Sequence, residues 1–377
     1  MSDSCAGNWR IRATREIDYE ISSVQDVFDS ADHSLLLPGR IEGGRRFVVV
    51  DERVDEHHGD RIRRYFADHA VHACVMTVPV GEPGKSMDTW QDLLRALDKF
   101  PIHRRDEPII AIGGGVLTDV VGFVASSYRR GVPHVKVPTT LMGYVDASVG
   151  IKTAINFNGS KNRVGSFEPP ARVLLDRSLL ATLDRRQVLN GVCEIIKLAV
   201  IKDAALFEHL EVSGASSIAS AFQDAPGAKI LDTAIDVMLE ELTPNLFEDD
   251  LARKVDFGHT FSYGLETHFE SDLLHGEAVL LDVLVSTVIA QRRFMLTDAQ
   301  ARRILALSGR LGIMPALDLL DANLMWHSLQ DRIEHRNGQQ LIPLPTAIGD
   351  CRFVNDVSLT ELQDAIDTLS TGARCAA

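Results

Sequence analysis

The sequence predicts an α/β domain on a parallel sheet over residues 1–178, then an all-α domain over residues 179–377. Two observations carry this. Before about residue 178, short apolar runs alternate with helical segments, which is how a parallel sheet is written. From Leu179 onward the apolar residues recur at helical spacing, and Gly and Pro become sparse. A chain of 377 residues is long enough for two ordinary cores.

Taken in order, residues 1 to about 40 read as an edge strand and hairpin. RFVVVD (46–51) is a strand, residues 61–69 a helix, HACVMTVPV (72–80) a strand and residues 87–100 a helix. EPIIAIGGG (107–115) is a strand, residues 118–125 a helix and HVKVPTT (134–140) a strand. Residues 143–168, rich in Gly, Ser, Asn and Lys, are too polar for a core and too long for a simple connection. They are expected to be functional. Helices follow over 179–211, 228–242, 258–269, 275–296, 298–311, 322–334 and 358–370. Ligands of such proteins sit in the cleft between the domains.

Composition narrows the function. Apolar residues make up 45% and charged residues 24%, as in ordinary globular chains. A net charge of −14 excludes nucleic acid as a natural partner, because phosphate contacts need an accumulated positive field. No stretch approaches the apolar length of a membrane span, and the N-terminus lacks the apolar stretch of a signal peptide. The five cysteines are scattered with no CxxC pair, so a reducing cytoplasm is expected.

The candidate chemistry starts at Gly113, Gly114 and Gly115, between a strand and a helix. Without Cβ atoms the backbone can approach a pyrophosphate, which then meets the free N–H groups of the helix start. A tight turn alone needs fewer glycines. Asp51 ends a strand, where a carboxylate can meet ribose hydroxyls and repel a 2′-phosphate, favouring NAD over NADP; a helix cap is the plainer reading. A Rossmann-like first domain is expected, although the run is not the GxGxxG dinucleotide fingerprint, since Thr118 stands where the last Gly would be.

Glu194 lies in RRQVLNGVCEIIKLAVI, outside the main apolar stripe but flanked by Leu198 and Ile201. A carboxylate so placed needs a partner. An ion pair with Lys197 is one reading. His259 and His275 each stand beside a glycine at the mouth of a helix. With Glu194 they match the ligand count of a catalytic zinc site, and the glycines are read as leaving room for metal and substrate. Lys85, Lys152 and Lys161 lie in Gly/Ser/Asn contexts. With Arg130 they could form the local positive cluster that an acidic protein needs for a phosphorylated substrate; singly, each reads as a solvated surface residue.

The blocks GGGVLTD, YRRG, VPTTLMGYVDASVGIKTAIN, KNRVGSF, EIIK, FGHTFS and LLHGEAV, in that order, resemble the sugar-phosphate cyclases, the family of 3-dehydroquinate synthase. The resemblance runs from about Asp51 to Gly349. It implies an NAD-binding α/β domain, a helical metal-binding domain and a homodimer. It places the metal ligands, for Zn²⁺ or Co²⁺, on Glu194, His259 and His275. It places NAD contacts on Asp51, Glu82, Lys85, Gly114, Gly115, Asp119, Thr139 and Thr140, with Lys161 bridging towards the cofactor. Substrate and phosphate contacts fall on Arg130, Asp146, Lys152, Asn162 and Lys197.

The departures bear on substrate. Dehydroquinate synthases read GHTFGHAIE, but here Tyr263 replaces a histidine; Asp256 replaces an asparagine, and Ile151 a glycine. Ala252 stands where an arginine is expected, Met238 near an expected lysine, and Gln340 and Leu341 where a basic residue is expected. Without those cations a substrate carboxylate would be poorly met. A neutral heptulose phosphate fits better, and PNLFEDDLARKVDFGHTFS resembles the 2-epi-5-epi-valiolone synthase branch, which acts on sedoheptulose 7-phosphate in C7-cyclitol biosynthesis. The implied reaction oxidises C5 by NAD⁺, eliminates phosphate with that phosphate taking the C6 proton, reduces C5 again and closes the ring by an aldol step. Alternatives are other cyclases of the family, making desmethyl-4-deoxygadusol, 2-epi-valiolone or 3-dehydroquinate, a metal-dependent polyol dehydrogenase, and a non-catalytic NAD-binding relative.

Overall fold

The computed structural model describes residues 8–37, 44–79, 81–269 and 272–376. The first domain holds β1 (Glu20–Val24), β2 (Arg46–Asp51), α1 (Glu52–Asp68), β3 (Ala73–Val78), α2 (Met87–Lys99), β4 (Ile109–Gly113), α3 (Gly115–Ser127) and β5 (His134–Pro138). A hairpin of β6 (Lys152–Phe157) and β7 (Ser160–Phe167) follows, then β8 (Arg172–Asp176). Six strands form one sheet in the order β1-β8-β5-β4-β2-β3, and every pairing is parallel. Both faces are covered. Val48 and Val50 pack with Ile62, Tyr65 and Phe66 on one side, while Phe47 and Val49 pack with Leu93, Leu97 and Val121 on the other. That two-sided burial is why RFVVVD is almost continuously apolar.

The second domain holds α4 (Arg185–Ile201), α5 (Ala204–Ala219), α6 (Ala225–Leu242), α7 (Ser262–His268), α8 (His275–Arg292), α9 (Asp298–Arg310) and α10 (Ala322–His335), then β9 (Ile342–Ala347), β10 (Asp350–Val354) and α11 (Leu359–Ala376). Helices α4 and α8 form its centre. Residues 190–201 and 278–290 are buried on every side. Such helices are apolar all round rather than striped.

Several expectations need correction. The N-terminal segment supplies an edge strand, but β1 runs parallel to β8, and no hairpin occurs there among the described residues. Residues 1–7, 38–40 and Val80 lie outside the described residues. Helix α1 begins at Glu52, not near 61, because Asp51 caps it and Val54 and His58 carry its buried face through a polar run. The expected helix 179–211 breaks at Lys202 (φ −138°), and Asp203 caps the next by accepting from Leu206 N. Helix α7 starts at Ser262, since Gly258 takes φ +76° in the approach. The helical domain also contains the β9–β10 hairpin. No helix of the described residues is long and apolar enough to cross a membrane.

Candidate active site

A cleft of about 1110 Å³ lies against the glycine turn, hairpin β6–β7 and helices α4, α7 and α8. His259 and His275 line its floor, and behind them both meet Glu194, which is fully buried on α4. Glu194 Oε1 is 3.5 Å from His259 Nε2 and 3.4 Å from His275 Nε2, and the two Nε2 atoms are 3.3 Å apart. The far nitrogens are held from behind: His259 Nδ1 lies 3.2 Å from the Phe257 carbonyl, and His275 Nδ1 3.1 Å from Glu266 Oε2. A neutral imidazole whose Nδ1–H donates backward presents a lone pair at Nε2. Three electron-pair donors therefore converge. Both Glu194 oxygens are buried without an aligned hydrogen-bond donor, although Lys197 Nζ stands 2.5 Å from Oε2 as an ion pair. A divalent cation fits this donor set, with one position left to the cleft. The ion-pair reading of Glu194 and the metal reading thus describe the same carboxylate.

The electrostatics separate the two imidazoles. Burial, with Lys197 nearby, pushes His259 down to about 3. Burial also opposes charge on His275, but Glu266 and Glu194 outweigh it and hold this group up at about 10, so a cation bound at its Nε2 has to displace a proton. Burial would raise Glu194, yet Lys197 and the imidazoles keep it well below the usual carboxylate range.

The glycines beside the histidines serve helix packing. A Cβ on Gly276 would stand 2.0 Å from the Asn190 carbonyl oxygen, and its N–H donates to Asn190 Oδ1 at 2.7 Å. A Cβ on Gly258 would meet Val279 at 2.8 Å. The space expected for metal and substrate is taken by α4 and α8, and this closeness draws the imidazoles onto Glu194. Asp282 of α8 fixes the start of α7 by accepting from Phe261 N and Ser262 N.

Towards the sheet, the cleft is lined by Asp51, Glu82, Lys85, Gly114, Gly115, Asp119, Thr139, Thr140 and Lys161. Gly114 precedes α3, and a Cβ there would meet Thr140 at 2.9 Å. Asp51 caps α1 by accepting from Arg53 N at 3.0 Å, the plainer of its two readings, and its side chain also borders the cleft. Lys85 Nζ pairs with Asp119 at 2.7 Å, and Glu82 accepts from Asn156 Nδ2 at 2.7 Å.

Asp146, Lys152, Asn162 and Lys197 line the remaining wall. Asp146 sits on a π-helical turn, Gly143–Ala147, and burial, with Glu194 close by, raises its carboxyl. Lys152 opens β6 and pairs with Glu248 at 3.0 Å. Asn162 takes the left-handed conformation (φ +54°), donating its N–H to Asn156 Oδ1 at 2.9 Å. Lys85, Lys152 and Lys161 all line the cleft, each paired with its own carboxylate. Arg130 does not join the site. It follows the C-terminal end of α3, about 20 Å from the glycine turn at 1.5 Å per residue, and does not line the cleft.

Residues 75–190 match the N-terminal family of 3-dehydroquinate synthase, and residues 191–332 match its C-terminal family. The chain belongs to the 3-dehydroquinate synthase family. A 2-epi-5-epi-valiolone synthase of Streptomyces albus is 47% identical over 95% of this chain and 89% of its own. The structure of ValA, the 2-epi-5-epi-valiolone synthase of Streptomyces hygroscopicus subsp. jinggangensis with NAD⁺ and Zn²⁺ bound, superposes with a TM-score of 0.92 at 41% identity, covering 96% of this chain and 99% of that one. A 2-deoxy-scyllo-inosose synthase complexed with carbaglucose-6-phosphate, NAD⁺ and Co²⁺ shares the fold, with a TM-score of 0.78 at 22% identity over 92% of this chain and 96% of that one.

Within this family member, the sequence reading missed an arginine cluster. Arg253, Arg332 and Arg336 all pair with Asp256, and these charges hold its carboxyl down to about 2 against burial. Arg332 also borders the cleft and donates to the His259 carbonyl. Two of these arginines come from or just after α10, far along the chain, so no local motif marks them. Of the positions of the absent cations, Met238 lines the cleft, beside Leu242, Leu246 and Val255, and the charged residues of that stretch are the acidic Glu248 and Asp256. Glu248 and Glu266 were also missed, whereas Tyr263 had stood out only as a departure from the dehydroquinate synthase motif. On sequence alone the two glutamates read as ordinary surface residues of a loop and a short helix.

Proposed function

We propose that the protein is a phosphate-eliminating carbocyclase that converts sedoheptulose 7-phosphate to 2-epi-5-epi-valiolone with release of inorganic phosphate, a step in C7-cyclitol and hence antibiotic biosynthesis. The observation that carries this is the convergence of Glu194, His259 and His275 at the floor of a cleft that also holds the glycine turn and Lys152. When bound, NAD⁺ supplies reversible removal of hydride, and Zn²⁺ or Co²⁺ supplies Lewis-acid polarisation. Glu194, His259 and His275 would hold the cation. Asp51, Glu82, Lys85, Gly114, Gly115, Asp119, Thr139, Thr140 and Lys161 would hold the dinucleotide. Lys152 and Asn162 bind the phosphate, Lys197 contacts hydroxyls beside the cation, and Asp146 orients the reacting hydroxyl. The apolar wall at Met238 and the pairing of Arg253, Arg332 and Arg336 with Asp256 support a substrate without a carboxylate. The 47% identical relative supports the same choice.

We read the enzyme as a cytoplasmic homodimer with its domain border at 178/179. In that assembly Arg130 serves a cleft only from a second copy, because its own chain keeps it outside. The test is an incubation of sedoheptulose 7-phosphate with NAD⁺ and Zn²⁺ or Co²⁺, following free phosphate and identifying the product by NMR. Phosphate and a carbocycle are expected, and Glu194→Ala should abolish both with the fold intact. Equal phosphate release from 3-deoxy-arabino-heptulosonate 7-phosphate would overturn the substrate choice.

A further inference from the structure

Helix α7 is wedged between the cation site and the turn of hairpin β6–β7. One side is fixed against α10. The Gly264 N–H donates to Ser328 Oγ at 2.6 Å, and a Cβ on Gly264 would stand 2.4 Å from the Leu324 carbonyl oxygen. Tyr263 and Glu266, three residues apart and so neighbours on the helix surface, meet the hairpin. The Tyr263 hydroxyl accepts the Lys161 N–H at 3.2 Å. Glu266 divides its carboxylate: Oε1 accepts from Lys161 Nζ at 2.8 Å, while Oε2 lies 3.1 Å from His275 Nδ1. The two side chains are only 12% and 11% exposed, so solvent screens this contact little.

We propose that Glu266 is a positioning residue that couples occupancy of the cation site to the seating of the β6–β7 turn. The inference rests on the cation reading of Glu194, His259 and His275. A cation drawing on His275 Nε2 makes the opposite Nδ1–H a stronger donor, and a carboxylate behind a ligating imidazole fixes its tautomer and direction. Glu266 is thereby held in one rotamer, and its second oxygen faces Lys161. The anchored turn belongs to the hairpin that carries Lys152 and Asn162, so loading the cation also orders the wall assigned to phosphate. Tyr263 reinforces this contact at the position where the dehydroquinate synthase motif has histidine.

The test measures metal affinity by competition with a chromogenic chelator, the ligand-field spectrum with Co²⁺, and hydrogen exchange of residues 158–162 with and without Zn²⁺. In the unaltered protein, Zn²⁺ is expected to slow exchange in the turn. Glu266→Gln should weaken metal binding about 10- to 100-fold, shift the Co²⁺ spectrum, and leave turn exchange unresponsive even at saturating metal. Lys161→Met should still bind metal but lose the exchange response. Circular dichroism checks the fold of both variants. Unchanged metal affinity in a folded Glu266→Gln, or turn exchange in the unaltered protein that ignores bound metal, would overturn the proposal. Failure of the unaltered protein to bind any metal would instead sink the cation reading, and this inference with it.

Discussion

Gly276 sets where His275 can point. A methyl group there would collide with the Asn190 backbone at 2.0 Å, and neither helix can yield cheaply because both are buried. Gly276→Ala is expected to cost about 1–3 kcal/mol in urea unfolding, the range for overpacking a core, and to weaken metal binding in the folded fraction. Asp256→Asn should cost more, about 3–5 kcal/mol, since it leaves Arg253, Arg332 and Arg336 buried or half-buried without their shared carboxylate. Chemical denaturation checks it. At this scale the candidate cation ligands were legible because few residue types can ligate and because His259 and His275 each stand beside a glycine ahead of an apolar run. Their supports were not. Glu266 sits on a short helix where a glutamate is unremarkable, and only the fold brings Lys161 to it. Arg332 reaches the His259 carbonyl from 73 residues away.

Strand β5 shows what an element does for the site. Its Lys136 is fully buried and donates from Nζ to the Gly150 carbonyl at 3.0 Å, between Asp146 and Lys152. Burial, partly countered by Asp119, pushes this ammonium down to about 8. The sign follows: above about pH 8 the folded protein has lost a proton that the unfolded chain keeps until about 10.5, so stability from this group rises across that window. The unaltered protein should therefore gain stability relative to Lys136→Met between those pH values, by about 3 kcal/mol, read from melting at each pH. Lys136→Met should also lower kcat, because the turn loses a tie. Element type was mostly legible from periodicity. What failed was local. Asp203 starts a helix through a cap that a periodicity reading overlooks, Asp51 was legible as a cap but the polar run after it hid the helix start, and β8 (RVLLD) is too short to stand out beside the long polar segment. The β9–β10 hairpin was hidden within a run of helices.

On the scale of the whole molecule, the two domains meet where the parallel strands end, the usual place for a ligand in an open α/β sheet. The cleft takes its glycine turn from one domain and its cation ligands from the other. A cation bound only by the native state stabilises it by about 2.7 kcal/mol at a hundredfold excess over Kd. Adding Zn²⁺ to chelator-treated protein should therefore raise the melting temperature, and Glu194→Gln should show no such rise. The net charge of −14 favours no anionic partner in general, so binding of a phosphate depends on local groups such as Lys152. The most direct measurement of the central claim is a simultaneous record of phosphate and reduced nicotinamide during turnover of sedoheptulose 7-phosphate with NAD⁺ and Zn²⁺. Phosphate should rise in step with substrate consumed while the reduced cofactor stays at a trace level. Reduced nicotinamide accumulating mole for mole with product would contradict the account.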